Sequence, residues 1–326
     1  MSSYLVTGGA GFIGSNIAHE LVRLGEKVRI VDNFSTGHRE NICDILDEIE
    51  LIEADIRDLE NMEQAVEGID FVLHQAAMGS VPRSIKEPIN SNEVNVTGTL
   101  NLLVAARDAG VKRFIYAASS SIYGDTPGLP KTEDMSPSPL SPYAVSKLMG
   151  EHYCRVFHSI YGLETVSLRY FNVFGPRQDP SSEYSAAIPK FIAAILKGEP
   201  IAIYGDGEQS RDFTYVQNVV SANLMACKSP DAMGEIINVA CGSMFSLNQL
   251  IRIIEEELDT KAHCIYTQSR IGDVKHSCAD IAKAKSLLGY EPIVTFEGGL
   301  RNTVDWYANG YRKPEAEVSK VSVEIQ

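Results

Sequence analysis

Residues 4–14 read Tyr4-Leu5-Val6-Thr7-Gly8-Gly9-Ala10-Gly11-Phe12-Ile13-Gly14: a short β-rich run, a glycine loop, and the start of a helical pattern that ends near Gly25. Strand, glycine loop and helix in that order let the backbone turn tightly and approach a pyrophosphate. Its charge is then met by the amides and dipole at the helix N-terminus. The spacing is G-x-x-G-x-x-G, not G-x-G-x-x-G, so the meaning of the loop rests on the residues C-terminal to it. Val28–Val31 reads as a second strand with Asp32 at its carboxyl end, inside the span of a βαβ unit. Asp32 can accept both ribose hydroxyls and would repel the 2′-phosphate of NADP, so the expected cofactor is NAD. Nearby Arg39 keeps NADP as the alternative, and a turn aspartate is the bland reading of Asp32.

The alternation of strand and helix continues outward. Leu51–Ala54 delivers Asp55 and Ile56, and Phe71–His74 delivers Gln75, Ala76 and Ala77. Strand carboxyl ends are where an open α/β sheet binds ligands. Asp55 is therefore a candidate adenine contact or a plain N-cap, and the small Ala76 and Ala77 would let a cofactor lie against the backbone. A helix from about Asn92 to Ala109 precedes a fifth strand, Phe114–Ala117, with Ser119 at its end. A Pro-rich loop comes next, with turns at Thr126-Pro127-Gly128 and Ser136–Pro139, before Ser141 and Pro142 open a helix as N-cap and first-turn proline. That helix carries Tyr143 and Lys147, four apart and therefore on one face. A nearby cation and the helix N-terminus both favour the phenolate, so the pair reads as a general base able to work near neutral pH. An ordinary amphipathic helix has the same spacing.

Glu164–Tyr170 is a sixth strand, after which the alternation loosens and Pro, Ser and Asp crowd residues 176–185. Helices are expected over 186–197, 217–228, 246–257 and 296–308, with strands at 201–204 and near 213 and 236. The fold class is α/β: a Rossmann-type doubly wound parallel sheet with a smaller, mixed α/β substrate-binding portion. The expected division is 1–175 for the NAD-binding domain, with segments near 212–240 and 270–282 returning to it, 176–311 for a discontinuous smaller domain, and 312–326 for a loose C-terminal tail.

At 326 residues, 44% hydrophobic and 22% charged, with no apolar run long enough to span a bilayer, the chain has the composition of a soluble globular protein. The N-terminus enters a strand without a signal-peptide pattern, which favours the cytoplasm and no membrane association. A formal charge of -14 argues against nucleic acid as a partner. Six cysteines form no C-x-x-C pair, so no metal site is expected and the thiols are read as free and mostly buried.

Jointly, Thr7–Gly14, Asp32-Asn33, His74–Ala77, Ser119–Gly124, Tyr143–Lys147, Arg169–Pro176 and Ser210–Phe213 resemble an extended short-chain dehydrogenase/reductase. More narrowly, from Leu5 to about Tyr307 the chain resembles UDP-sugar 4-epimerases of the UDP-N-acetylglucosamine type. The resemblance implies that Tyr143 takes the proton of the sugar 4′-hydroxyl while the C4′ hydride passes to NAD. Ser119 would hydrogen-bond the same oxygen, and Lys147 would hold the nicotinamide ribose. The 4-keto sugar would rotate and be reduced on its other face, so tightly bound NAD is regenerated in each turnover. Implied cofactor contacts are Gly8, Gly11, Phe12, Ile13, Gly14, Asp32, Asn33, Asp55, Ile56, Gln75, Ala76, Ala77, Asn95, Tyr143, Lys147 and Tyr170. Implied substrate contacts are Gly79, Ser80, Ser119, Ser121, Tyr143, Asn172, Ala187, Ile188, Tyr204, Arg211, Arg270, Asp273 and Ser277. Among these Asn172, Arg211 and Arg270 would meet the diphosphate, and Asp273 would lie near the uridine ribose. Arginine's planar fork suits phosphate, though Arg211 could instead pair with Asp212.

Ser277 falls where epimerases restricted to non-acetylated sugars carry tyrosine. It leaves room for an N-acetyl group without strongly rejecting UDP-glucose or UDP-galactose. The resemblance also implies a homodimer through a helix bundle, formed by the helix around 92–109 and the one starting at Tyr143, with Leu102, Leu148 and Val156 on their apolar faces. Three rivals compete with this reading. A 4,6-dehydratase would carry Asp-Glu where this chain has Ser120 and Ser121. A UDP-glucuronate 4-epimerase or decarboxylase could use Arg83 for the sugar carboxylate. A noncatalytic NAD-binding regulatory protein could share the fold.

Overall fold

A computed structural model of the chain describes residues 1–181, 186–268 and 275–310. β1 (Ser3–Thr7), α1 (Phe12–Arg23), β2 (Lys27–Asp32), β3 (Ile49–Glu53), α2 (Leu59–Ala65) and β4 (Phe71–His74) form its first half-sheet. Then come α3 (Val81–Lys86), α4 (Pro88–Asn92), α5 (Thr99–Asp108), β5 (Arg113–Ser119), α6 (Pro142–Tyr161), β6 (Glu164–Tyr170) and β7 (Val173–Phe174). Further along the chain are α7 (Ala187–Lys197), β8 (Ile201–Tyr204), β9 (Ser210–Arg211), β10 (Thr214–Tyr215), α8 (Val216–Lys228) and β11 (Ile236–Val239), the last two of which return to the main sheet. β12 (Phe245–Ser246), α9 (Leu247–Leu258), β13 (Cys264–Thr267), β14 (His276–Ser277), α10 (Ala282–Leu288) and α11 (Phe296–Gly310) follow.

Seven strands make one sheet in the order β11-β6-β5-β4-β1-β2-β3, and every pairing is parallel. Parallel strands are covered on both faces, which is why they read as continuous apolar runs. Ile17 and Leu21 of α1 and Val219 and Val220 of α8 bury one face, and Met62, Leu102, Leu103 and Phe157 of α2, α5 and α6 bury the other. The strand order reverses between β1 and β4, and the crevice at that switch point is where such a sheet takes a ligand. A third core joins Phe174, Phe191, Ile192, Leu250, Ile254, Leu300 and Val304 in the smaller portion.

Expectation and structure part in identifiable places. The helix expected from Asn92 starts earlier: α3 and α4 are six and five residues long, too short for a periodic signal, and both carry proline in the first turn. Between α4 and α5 the helix widens by one residue over Glu93–Gly98. Leu102, which could have faced a partner copy or the core, is fully buried in the core. The cysteines are less buried than expected: Cys154 and Cys227 are buried, Cys43 is exposed, and the other three are half-buried. The tail from 312 lies outside the described residues.

Candidate active site

The glycine loop is shaped by close approach. Gly8 has φ 66°, and a Cβ there would lie 2.8 Å from the backbone of Ala76, while one on Gly14 would lie 2.1 Å from Gly8 O. Only glycine fits where strand, loop and helix pack this tightly. The resulting cleft, of about 340 Å³, is lined by Gly8, Gly11, Phe12, Ile13, Gly14, Asp32, Asn33, Asp55, Ile56, Gln75, Ala76 and Ala77, together with Gly79 and Ser80, expected on the substrate side.

Asp32 is 7% exposed, and its oxygens accept from Ala10 N at 2.9 Å and Phe34 N at 2.8 Å. Burial raises its pKa, and these hydrogen bonds pull against that rise. Arg39, the residue that kept NADP open, bonds Glu53 and lies over the Phe34 ring at 4.2 Å. Asp55 is not the N-cap of α2, a role that Asp58 fills. Its carboxylate is clamped by Arg57 at 2.8 and 2.9 Å and by Asn33 at 2.8 Å, and the Arg57 guanidinium holds its pKa at about 2.

Four expected cofactor contacts, Asn95, Tyr143, Lys147 and Tyr170, are not among the residues lining this cleft. Asn95, 1% exposed, accepts from Met78 N at 2.7 Å and donates to Ser146 Oγ at 2.9 Å. It thereby joins the segment after β4 to α6. The Tyr170 hydroxyl accepts from Asn223 at 2.8 Å and from Gln75 at 3.2 Å, so Tyr170 and Asn223 brace Gln75 from below.

Ser119 ends β5, and its Oγ accepts from Ser121 N at 3.2 Å and Ser121 Oγ at 2.9 Å. Ser141 caps α6 by accepting from Ala144 N at 3.2 Å, which sets Tyr143 in the first turn. The Tyr143 phenol is buried near Ser119. Burial pushes the Tyr143 phenol up, and the nearby Ser119 hydroxyl pulls it back. This differs from the expectation that Lys147 and the helix N-terminus would lower the phenol toward neutral pH: burial outweighs both. Lys147, 4% exposed, instead donates from Nζ to Ala117 O at 2.8 Å and sits 5.0 Å from the Tyr116 ring centroid. Burial lowers its ammonium pKa to about 8.

Two groups beneath this pair were not singled out in the sequence. His74 is buried between Thr7 Oγ1 at 2.7 Å and Thr99 Oγ1 at 2.9 Å, and burial drives its pKa down to about 3. It is therefore a neutral wall and adds no charge beside Lys147. One turn beyond Lys147, Glu151 makes a two-pronged ion pair with Arg169 at 2.8 Å, both fully enclosed.

A second pocket, of about 350 Å³, lies over the smaller portion. Asn172, Ala187, Ile188, Tyr204 and Arg211 line it as expected. So do Phe174, Lys190, Phe191, Gln209, Phe213 and Leu247, which sequence reasoning missed; the first-turn position of Lys190 on a helix opening at Ala187 was the available signal. Asn172 adopts φ 36° and donates to Asp212 O at 3.0 Å. The fully buried Asp212 carboxylate turns to backbone, accepting from Cys241 N and Gly242 N at 3.0 Å and from Ala279 N at 3.2 Å, not to Arg211. Burial pushes its pKa up to about 6 against these bonds. Arg211 Nη1 donates to Ser210 O at 2.9 Å and Lys275 O at 3.1 Å. Ser277 is its neighbour across the β9–β14 pair, and Arg270 and Asp273 lie outside the described residues. Among the described residues no His, Cys, Asp and Glu cluster could hold a metal ion, and no helix is long and apolar enough to cross a membrane.

The chain is 40% identical over 310 residues to a putative UDP-glucose 4-epimerase of Methanocaldococcus jannaschii, covering 94% of this chain and 99% of that protein. The solved UDP-N-acetylglucosamine 4-epimerase of Methanobrevibacter ruminantium, in complex with UDP-N-acetylmuramic acid, superposes with a TM-score of 0.89 at 42% identity, covering 94% of this chain and 98% of that one. The UDP-glucuronic acid 4-epimerase of Bacillus cereus, solved with UDP-glucuronic acid and NAD, gives 0.87 at 34% identity, covering 94% and 99%. The family model described as the NAD dependent epimerase/dehydratase family matches residues 4–240. With its glycine cleft, its Asp32 and its Ser119–Tyr143–Lys147 group in place, the chain belongs to the NAD dependent epimerase/dehydratase family.

Proposed function

We propose that the protein is a UDP-sugar 4-epimerase that interconverts UDP-N-acetylglucosamine and UDP-N-acetylgalactosamine, with UDP-glucose and UDP-galactose as further substrates. The observation that carries this reading is the buried Tyr143 phenol within reach of Ser119 and one helical turn before Lys147, with Ser120 and Ser121 where an eliminating enzyme would carry a carboxylate pair. The cleft formed by Gly8, Gly14 and Asp32 fits a dinucleotide, because backbone closeness suits a diphosphate and the Asp32 oxygens suit ribose hydroxyls. Bound there, NAD supplies the reversible oxidation at C4 of the sugar. Tyr143 removes the proton of the 4-hydroxyl and later returns it to the inverted oxygen. Ser119 holds that oxygen, and Lys147 keeps a positive charge near both.

Arg211 and Asn172 bind the diphosphate, with Phe174, Phe191 and Phe213 as the apolar wall for the nucleoside. Ser277 leaves the volume that an N-acetyl group needs, and the 42% identity to the M. ruminantium enzyme supports the same substrate class. In this reading residues 1–175 hold NAD, the discontinuous portion over 176–311 holds the nucleotide, and the enzyme works in the cytoplasm as a homodimer.

The test is direct. The purified protein, incubated with UDP-N-acetylglucosamine and no added NAD, should form the galacto epimer by NMR. Absence of epimer even with NAD supplied rejects the proposal. A parallel incubation with UDP-glucuronate addresses the rival that the B. cereus neighbour and Arg83, in the cofactor cleft near Ser80, keep in play.

A further inference from the structure

The cofactor cleft contains a cation with no task in the chemistry above. Arg177, in the segment leaving β7, lines the cleft beside Gly11, Phe12 and Ile13. Its backbone is left-handed, φ 69°, a conformation that a bulky residue keeps only where its surroundings enforce it. Asn16, buried in α1, does the enforcing. Its Nδ2 donates to Phe12 O at 2.8 Å and Pro176 O at 3.1 Å, and its Oδ1 accepts from Arg177 Nη1 at 3.2 Å. The segment is also tied on its far side, where Tyr307 of α11 donates to Gln178 O and Asp179 faces His38 at 3.5 Å.

Arg177 is thus fixed against the first turn of α1 by a neutral partner. Among the described residues no carboxylate lies within ion-pair distance of it; Asp44, whose charge acts on it, is paired with His19 at 2.9 Å. Burial pulls its pKa down, the signature of a guanidinium that has lost water without gaining an anion. The anionic group of NAD is its diphosphate, and an arginine fork makes paired, charge-assisted bonds to phosphate oxygens.

We propose that Arg177 is a cofactor-binding residue whose guanidinium meets the NAD diphosphate together with the amides of the glycine loop, and so retains a cofactor that need never leave. Losing one charge-assisted contact should weaken binding by about 10- to 100-fold.

The test compares wild type, Arg177→Gln and Arg177→Lys. NAD released by acid from each purified protein is counted per chain, and the affinity of the stripped proteins for NAD is measured by equilibrium dialysis at low and high salt. The expected result is a glutamine variant with most of its NAD lost, a 10- to 100-fold weaker affinity and a shallower salt dependence. Wild-type NAD content and affinity in Arg177→Gln overturn the proposal. If stripped Arg177→Gln melts below stripped wild type, the lysine variant decides. Binding closer to wild type than the glutamine variant supports a charge role, and equal loss in both overturns it. No UDP-sugar is needed, so the outcome is independent of the substrate assignment.

Discussion

At Tyr143 two influences oppose each other: burial keeps the proton on the phenol, and the nearby Ser119 hydroxyl favours its release. If this phenol is the acid-base group, Tyr143→Phe should lower turnover of UDP-N-acetylglucosamine by about 10²- to 10⁴-fold and leave the NAD content unchanged. A variant with near-full rate would place the base elsewhere. The spacing of Tyr143 and Lys147 was legible because four residues make one helical turn. The ammonium's turn to Ala117 O was not, because it depends on how α6 packs on β5.

Asp212 gives a second prediction at this scale. Its pKa in the fold is raised to about 6 from an ordinary 3.8, so its contribution to stability is full below 3.8 and is lost as pH rises through about 6. By ~1.4 kcal/mol per pKa unit the loss is about 3 kcal/mol. Asp212→Asn cannot titrate. The variant will be less stable throughout, having one acceptor oxygen fewer for the three backbone amides, but its deficit relative to wild type should shrink by about 2 kcal/mol between pH 4 and pH 7 in urea unfolding. A deficit that is flat with pH would show that the carboxylate ionises normally.

At the scale of the element, α6 organises the centre by presenting Tyr143, Lys147, Glu151 and Cys154 inward at helical spacing. Gly150 lets it come close: a Cβ there would lie 2.2 Å from Cζ and Oη of Tyr116, whose buried ring lies under Lys147 and whose hydroxyl donates to Lys147 O at 3.4 Å. Gly150→Ala should therefore cost about 1–3 kcal/mol of stability and lower turnover with it, because Tyr116 cannot yield without moving Lys147. Thermal melting and a rate measurement check both, and an unchanged enzyme would mean that α6 can slide on β5. The long strands and helices were readable from apolar runs and 3.6-residue periodicity. β9, β12 and β14 were not, since each is two residues long and exists only through its partners. The return of residues 212–240 to the first domain was expected from the resemblance, but the pairing of β11 with β6, between segments some seventy residues apart, is not something local pattern encodes.

At the scale of the whole molecule, the face of α6 opposite its catalytic side is apolar and open. Val145 is 45% exposed, Met149 36%, Val156 43% and Ile160 68%, with Ile85 and Ile89 of the adjoining α3 and α4 at 64% and 74%. A contiguous apolar surface on one helix face marks an interaction site. Of the residues the sequence suggested for it, Val156 is there and Leu102 is not, because α5 has apolar residues on more than one side and periodicity alone does not say which side meets solvent. If two copies pair through this face, Met149→Lys with Ile160→Lys should sediment as a monomer where the unaltered chain sediments as a dimer. NAD content should be kept, since neither side chain lines the cofactor cleft. An unaltered chain that sediments as a monomer at micromolar concentration would reject the pairing. A dimer undisturbed by both lysines would move it to another surface. The helix that positions Tyr143 would then be held on one side by its own sheet and on the other by its twin, so loss of the dimer should lower turnover through α6 alone and leave nucleotide affinity, which the proposed function assigns to the Arg211 pocket, near its original value.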